Sequence, residues 1–279
     1  MIIEDTINNA AKILKDKDIK SYNLDAQIIL SDVMKVSKEF LLLNSRGALS
    51  KKDLIKYDHA IKRRIKKEPV AYIIGKKEFW SHDFEVNKDT LIPRPETELL
   101  IYKIINHFKN RKINILDKGT GSGCILLALL KELKHSCGIG IDISSKAIQI
   151  AKKNCHKLNL YSRAKFKVFD INKFQIGKYD LIVSNSPYIP IKDIKNLSQD
   201  IRNYEPRVAL NGGIDGLDLI KKVIYKSVNL LKNNGLLAIE IGNNQYLKVS
   251  NFLKKNNFRE ISKEYDYKGN VRCIITTKI

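Results

Sequence analysis

Ile113-Asn-Ile-Leu-Asp117, Lys118, Gly119-Thr-Gly-Ser-Gly123 and Cys124-Ile-Leu-Leu-Ala-Leu-Leu-Lys-Glu-Leu133 follow one another without a break. The first piece reads as a short apolar strand and the last as a helix, with a glycine-rich turn between them. Glycines at such a junction let the backbone turn sharply and come close to a ligand. Downstream the same alternation continues. Residues 138–142, 165–169, 180–184, 236–241 and 271–276 have the short, apolar composition of strands, and residues 145–156, 218–231 and 246–255 have helical periodicity. Strand–helix alternation of this kind predicts an α/β fold with a doubly wound, mostly parallel sheet. Ligands bind such sheets in the crevice outside the carboxyl ends of the strands.

Upstream the pattern is different. Ile7, Ala10, Ala11 and Leu14 recur at helical spacing, as do Ala26, Ile29, Leu30 and Val33 after Asn23, a candidate cap, and Leu54, Tyr57, Ile61 and Ile65 after Ser50, a second one. This stretch carries no glycine-rich phosphate loop and no catalytic cluster, so it reads as a small helical domain for packing or partner binding, over residues 1–75. Residues 76–92 contain aromatic and apolar positions alternating with polar ones around Ser81-His82-Asp83, the pattern of a β-hairpin linker. The sheet domain then spans 93–279, and Pro95 with Glu96 and Glu98 suits a helix start.

Composition limits the function classes. A chain of 279 residues with 43% hydrophobic residues can bury a core. No apolar run approaches the roughly 18 residues that span a membrane. Residues Met1-Ile-Ile-Glu-Asp-Thr lack the basic region of a secretory signal, so a cytoplasmic location is expected. Cys124, Cys137, Cys155 and Cys273 show no metal spacing and read as free thiols, and no metal is expected. The formal charge of +21 favours an acidic partner. It permits a nucleic acid without requiring one, because the chain is rich in Lys, Ile and Asn together.

The candidate cofactor site begins with the glycine turn. Asp142 ends the next strand about 20 residues after the glycines, where a carboxylate accepts from ribose hydroxyls. A dinucleotide fingerprint would place its last glycine at position 124, which is Cys124. Gly119-Thr120-Gly121-Ser122-Gly123 preceded by Asp117 instead fits S-adenosylmethionine; a purely structural turn is the other reading. Asp170 after the third strand is placed to accept from an adenine amino group and Ile171 to pack on its face, though both also suit an ordinary strand end. Lys118 is an unusual residue in this turn, and its stem is expected to lie on the protein with its amine in water.

The strand at 180–184 delivers Asn185-Ser186-Pro187-Tyr188 into the same crevice. An sp² NH₂ group is a poor nucleophile because its lone pair is delocalised. The Asn185 side-chain oxygen and a backbone carbonyl of the turn can accept its two protons and aim the lone pair at a methyl group. Tyr188 supplies a flat wall for a planar substrate. The turn therefore points to methylation of an amide or exocyclic amino nitrogen, with Asn185, Pro187 and Tyr188 as catalytic residues and Asn185 to Tyr188 as the substrate site. A proline-containing turn without function is the bland alternative.

With these residues quoted, the chain resembles the HemK/PrmC family of peptide chain release factor glutamine N5-methyltransferases along essentially its whole length. The resemblance is carried by Phe79-Trp80, Ile92-Pro-Arg-Pro-Glu-Thr-Glu98, Leu116 to Gly123, Asn185 to Tyr188, Glu205-Pro-Arg-Val-Ala-Leu210, Gly212-Gly-Ile-Asp-Gly216 and Glu240-Ile-Gly242. It implies a helical N-terminal domain and a class I (Rossmann-like) methyltransferase domain ending in an antiparallel hairpin; residues 1–75 are the expected element for release factor binding. It further implies S-adenosylmethionine as donor, with S-adenosylhomocysteine as product, and the glutamine of the class 1 release factors' Gly-Gly-Gln motif as acceptor. By the same resemblance, Gly119 to Gly123, Asp142, Ile171 and Asn185 hold the donor. An adenine- or guanine-directed RNA or DNA methyltransferase would use the same turn chemistry and is the alternative. The family's turn is normally Asn-Pro-Pro-Tyr, and the residue after Asp117 is normally apolar. Ser186 for proline is expected to loosen the turn by about 0.4–1 kcal/mol, roughly two- to fivefold in rate.

Overall fold

Alternate residues of the central strands are apolar on both sides, and two cores result. Five parallel strands, β3 (Asn114–Lys118), β4 (Cys137–Asp142), β5 (Ala164–Val168), β6 (Tyr179–Ser184) and β7 (Leu231–Glu240), pair with two antiparallel ones, β8 (Phe258–Tyr265) and β9 (Val271–Lys278). These ranges come from a computed structural model that describes all residues, Met1–Ile279. The strand order is β5-β4-β3-β6-β7-β9-β8. Ile115, Leu181, Val183, Ala238 and Ile275 face one side, against helices α6 (Glu98–Phe108), α7 (Cys124–Glu132) and α8 (Ser145–Lys157). Leu116, Ile182, Leu237, Ile239 and Ile274 face the other, against α10 (Asp218–Leu230) and α11 (Tyr246–Lys255). Truncating one of the fully buried leucines or isoleucines to alanine should cost about 2–5 kcal/mol.

From β3 the chain winds outward through β4 and β5, then returns to lay β6 on the other side of β3. The strand order reverses between β3 and β6, so this is the switch point where a crevice opens at the carboxyl ends. The doubly wound reading and the implied final antiparallel hairpin are both found. The residue pattern alone had not resolved β8. It is a sheet-edge strand carrying Arg259, Glu260, Lys263 and Glu264, with register shifts after Glu260 and Glu264. Charges and bulges protect an edge from unwanted pairing and at the same time erase its alternation.

Contacts divide the chain into two units, Met1–Lys76 with Ser198–Tyr204, and residues 77–197 with 205–279. The first is helical: α1 (Ile3–Lys15), α2 (Tyr22–Met34), α3 (Lys38–Leu43), α4 (Lys51–Ile65), α5 (Val70–Ile74) and, from the later segment, α9 (Gln199–Tyr204). Ser50 caps α4 as expected, its hydroxyl accepting from the Asp53 N–H at 3.1 Å. Asn23 is not a cap, since it lies inside α2. The residue ahead of the helix is Ser21, whose hydroxyl binds the Asp25 carboxylate at 2.8 Å. Asp25 in turn is paired with Arg64 at 2.7 Å, both buried, so α2 and α4 are locked by charge as well as by Ile29, Leu30 and Tyr57.

The expected hairpin is present as β1 (Lys76–Phe79) and β2 (His82–Glu85), turning through Trp80 and Ser81 at φ of 49° and 56°. Phe79 and Phe84 sink into the core beside α6. Pro95–Thr97 forms a single 3₁₀ turn that leads into α6.

Candidate active site

Two backbone segments leave the switch point side by side: the glycine turn after β3 and the Asn185 turn after β6. Gly119, Gly121, Asp142, Asp170, Ile171, Asn185 and Pro187 line one cavity of about 320 Å³, within the range of small-molecule sites. Leu91 and Thr90 form one wall, and Pro206, Val208 and Ala209 another. Those walls are joined by Glu205, which accepts from the Arg94 guanidinium at 2.6 Å and the Ile92 N–H at 3.3 Å. The Pro-Arg-Pro and Glu-Pro-Arg pieces of sequence thus have a shared physical role.

The loop's conformation explains its composition. Gly119 and Gly121 adopt φ of +75° and +54°, and nothing stands within 4 Å of where their Cβ atoms would be. Their N–H groups are held by Ile141 O at 2.9 Å and by Asp142 Oδ2 at 2.9 Å. The other Asp142 oxygen accepts from Ser144 N at 2.9 Å. A carboxylate has about four acceptor positions, so Asp142 keeps capacity toward the cavity. Burial raises its pKa, against the pull of those N–H bonds.

The remaining predicted loop residues do not line the cavity. Gly123 is where α7 meets the sheet, and a Cβ there would press on Phe166, Ala151 and Leu127 at 3.1–3.2 Å. The Ser122 carbonyl accepts from the fully buried Asn154 of α8, which also holds β2 through Glu85. Thr120 donates to Asp117 Oδ2 at 2.6 Å. Asp117 is fully buried and its Oδ1 has no partner; burial, with the Asp142 charge, pushes its carboxyl up to about 7. The fit to S-adenosylmethionine is carried instead by Asp142, which lines the cavity and keeps acceptor capacity for ribose hydroxyls beside a glycine loop with no Cβ in the way.

Lys118 departs from expectation. Its side chain is fully buried and its amine is not in water. It shares the strand face of Leu116, two residues earlier, and so points under α10, where Nζ lies 3.3 Å from Ser227 Oγ. Burial, with Lys226 nearby, pulls its pKa down to about 7.

The Asn185 turn is held from several directions. Asn185 Nδ2 donates to Thr97 Oγ1 at 3.2 Å, and Thr97 donates to Glu240 Oε2 at 2.5 Å. The Tyr188 hydroxyl donates to Glu240 Oε1 at 3.2 Å. Tyr188 lies beside the turn without lining the cavity. Burial raises the pKa of both Tyr188 and Glu240. Gln245 Nε2 donates to the Tyr188 carbonyl at 2.9 Å and to Gly216 O at 3.3 Å. Gly216, at φ +78°, packs so closely that a Cβ would stand 2.3 Å from Tyr188 O. Ser186 is buried, and its hydroxyl lies 2.6 Å from that of Ser184, which donates to Lys118 O at 2.7 Å. With the Ser184 proton committed, Ser186 must be the donor to Ser184. The serine in the proline position is therefore tethered to the end of β6. The Ser186 carbonyl accepts no hydrogen bond within the chain. Gln245 and Asn154 stand in no motif of the sequence, and Thr97 and Glu240 appear only within motifs; their partners are distant along the chain.

The fold and the crevice define a class I methyltransferase. A methyltransferase domain model matches residues 109–278, and a model of the PrmC N-terminal domain matches residues 5–75. The ribosomal protein L11 methylase of Lactobacillus delbrueckii subsp. bulgaricus shares this fold, with a TM-score of 0.51 at 20% identity over 67% of this chain and 81% of its own. The release factor glutamine methyltransferase of Clostridium acetobutylicum is 37% identical over 100% of this chain and 99% of its own length. That of Buchnera aphidicola subsp. Schizaphis graminum is 46% identical over 91% and 92%. The chain belongs to the release factor glutamine methyltransferase family. No helix is long and apolar enough to cross a membrane.

Proposed function

We propose that this chain transfers a methyl group from S-adenosylmethionine to the side-chain amide nitrogen, N5, of the glutamine in the Gly-Gly-Gln motif of class 1 peptide chain release factors. The observation that carries the reading is that Asn185 and Pro187 line the same cavity as Gly119, Gly121 and Asp142. Acceptor turn and donor loop converge at one switch point. The names of the relatives support the particular acceptor.

Gly119 and Gly121 would admit the donor close to the backbone, Asp142 would accept from its ribose hydroxyls, and Asp170 and Ile171 would meet its adenine. Asp117 and the Thr120 to Gly123 backbone would support the loop from behind. When bound, S-adenosylmethionine supplies a methyl group on a sulfonium, which departs as a neutral thioether while the N–C bond forms. Asn185 Oδ1 and the Ser186 carbonyl accept the two protons of the glutamine amide and turn its lone pair toward the methyl. Pro187 bounds the substrate side, and Tyr188, outside the cavity lining, braces the turn through Glu240. Holding the reactants in line is worth effective molarities of about 10⁵–10⁸ M, and the surplus proton leaves to water afterwards.

The helical residues 1–75 are the proposed docking element for the release factor, residues 76–92 the linker and 93–279 the transferring domain, acting in the cytoplasm. The net charge of +21 favours acidic partner surfaces. To test the reading, the protein is incubated with labelled methyl donor and, separately, a release factor, the same factor with its Gly-Gly-Gln glutamine changed, and total RNA. Label confined to the intact release factor is expected. Label on RNA alone would refute the acceptor.

A further inference from the structure

We infer that Glu240 and Thr97 are positioning residues that fix, through a one-way chain of hydrogen bonds, which end of the Asn185 amide faces the acceptor. The inference rests on the proposed role of Asn185 in holding that acceptor.

The two ends of an asparagine amide differ only in what they can donate or accept, so their assignment comes from their partners. The Thr97 and Tyr188 hydroxyls, one on each oxygen, and the Arg272 charge favour the ionised form of Glu240 against the cost of burial, and an ionised carboxylate accepts and never donates. Glu240 Oε2 lies 2.5 Å from Thr97 Oγ1, so the one hydroxyl proton of Thr97 is committed to Glu240. Thr97 Oγ1 then offers only lone pairs. The Asn185 atom that meets it at 3.2 Å must be a donor, Nδ2. With Nδ2 engaged, Oδ1 is the end left for the cavity that Asn185 lines. The second Glu240 oxygen takes the Tyr188 hydroxyl at 3.2 Å, so one carboxylate holds both the Asn185 amide and the Tyr188 end of the turn. Glu240 is 1% exposed and Thr97 2%. Water cannot replace either partner there, and in a buried chain of this kind losing one member can cost more than its own bond. Reversing the chain would aim an NH₂ at the NH₂ of the acceptor, two donors facing each other. Thr97 arrives from the turn before α6 and Glu240 from the end of β7, so the tertiary fold alone brings them to Asn185.

Three variants test this: Thr97→Val, which keeps the shape and removes the hydroxyl, Thr97→Ser, which restores it, and Glu240→Gln, which can donate and so permits the reversed chain. Single-turnover transfer should fall about 100-fold in Thr97→Val and Glu240→Gln, while donor affinity by calorimetry stays within about threefold and the thermal melt remains cooperative. Thr97→Ser should recover transfer to within about threefold of wild type. A folded Thr97→Val that transfers at the wild-type rate would overturn the inference, and so would a Thr97→Ser as slow as Thr97→Val. An independent readout needs no turnover. In ¹⁵N-asparagine-labelled wild type, with Asn185→Asp assigning the signal, the Asn185 Nδ2 protons should be shifted and slow to exchange, and lose both properties in Thr97→Val. Free-amide behaviour in wild type would sink the chain of bonds. If wild type methylates no glutamine, the acceptor assignment fails on its own, while the amide signals still decide the orientation.

Discussion

The glycine loop after β3 and the Asn185 turn after β6 leave the same end of the sheet, yet they are built by different means. The loop is local. Gly119 and Thr120 bond to Ile141 O, Gly123 N to Thr120 O, Thr120 to Asp117 and Gly121 to Asp142, all within one β-α-β unit. The turn is assembled from afar. Thr97 lies 88 positions from Asn185, Glu240 lies 52 from Tyr188, and Gln245 lies 57 from Tyr188. A site whose shape is held by backbone freedom is written in a short stretch of sequence. A site whose shape is held by side-chain partners is written across the whole fold. Loop changes should therefore act on donor binding and turn changes on transfer.

The largest separation of the two should come from Asn185→Ala. Transfer should fall about 10²–10³-fold, as when one preorganised hydrogen-bonding group is removed from an active site. Cooperative melting should persist, because Asn185 is a partly exposed loop residue. A near-normal transfer rate would break the assignment of the turn.

Lys118 lies under both segments, and its removal bears on the foundation they share. A lysine whose folded pKa is near 7, below its unfolded 10.5, must shed a proton to fold anywhere between those values. The unfolded chain binds the extra proton, so this residue's contribution becomes more favourable as pH rises from about 7 to 10.5 and is flat and unfavourable below. Lys118→Met should stabilise the protein by about 1–4 kcal/mol at pH 7, and the gain over wild type should shrink toward pH 10. Ser227 keeps its bond to Val223 O in the variant. Denaturant melts of both proteins across that range check the sign. A gain independent of pH would mean the lysine is charged in the fold.

Gly121→Ala addresses the loop alone. A left-handed φ costs a non-glycine residue roughly 1–2 kcal/mol, and the added methyl points into the cavity. Donor affinity should weaken about tenfold, while the transfer rate at saturating donor changes less. The reverse split would break the division of labour.

Ser186 gives the smallest expected effect. Its tether to Ser184 replaces part of the restraint a proline ring would give, so the expected deficit of this turn is smaller than composition alone implied. A net hydrogen bond is worth about 0.5–1.5 kcal/mol, so Ser186→Ala should slow transfer roughly two- to tenfold. Ser186→Pro exchanges one restraint for another and should stay within about threefold of wild type. An Ala variant as fast as wild type would show that the tether does nothing.

These two regions also explain what could be read from sequence. The sheet, its switch point and the convergence of Gly119, Gly121, Asp142 and Asn185 follow from local patterning and strand order. A charged residue next to a glycine turn reads as solvated, whereas Lys118 is fully buried. Its position on the Leu116 face of β3 is what buries it, and that face is defined only once α10 packs across the sheet. Strand β8 was hidden because a charged edge has no alternation. Thr97 stands inside the Pro-Arg-Pro-Glu-Thr-Glu stretch and Gln245 in no motif, and for neither does the sequence show which buried carboxylate or carbonyl it will meet.

The most direct measurement is fragmentation mass spectrometry of an intact release factor after reaction with this protein and S-adenosylmethionine. One added methyl on the side-chain amide nitrogen of the Gly-Gly-Gln glutamine, absent when Asn185→Ala replaces the wild type, is the predicted result. A methyl on any other residue, or a glutamine left unmodified while donor is consumed, would contradict it.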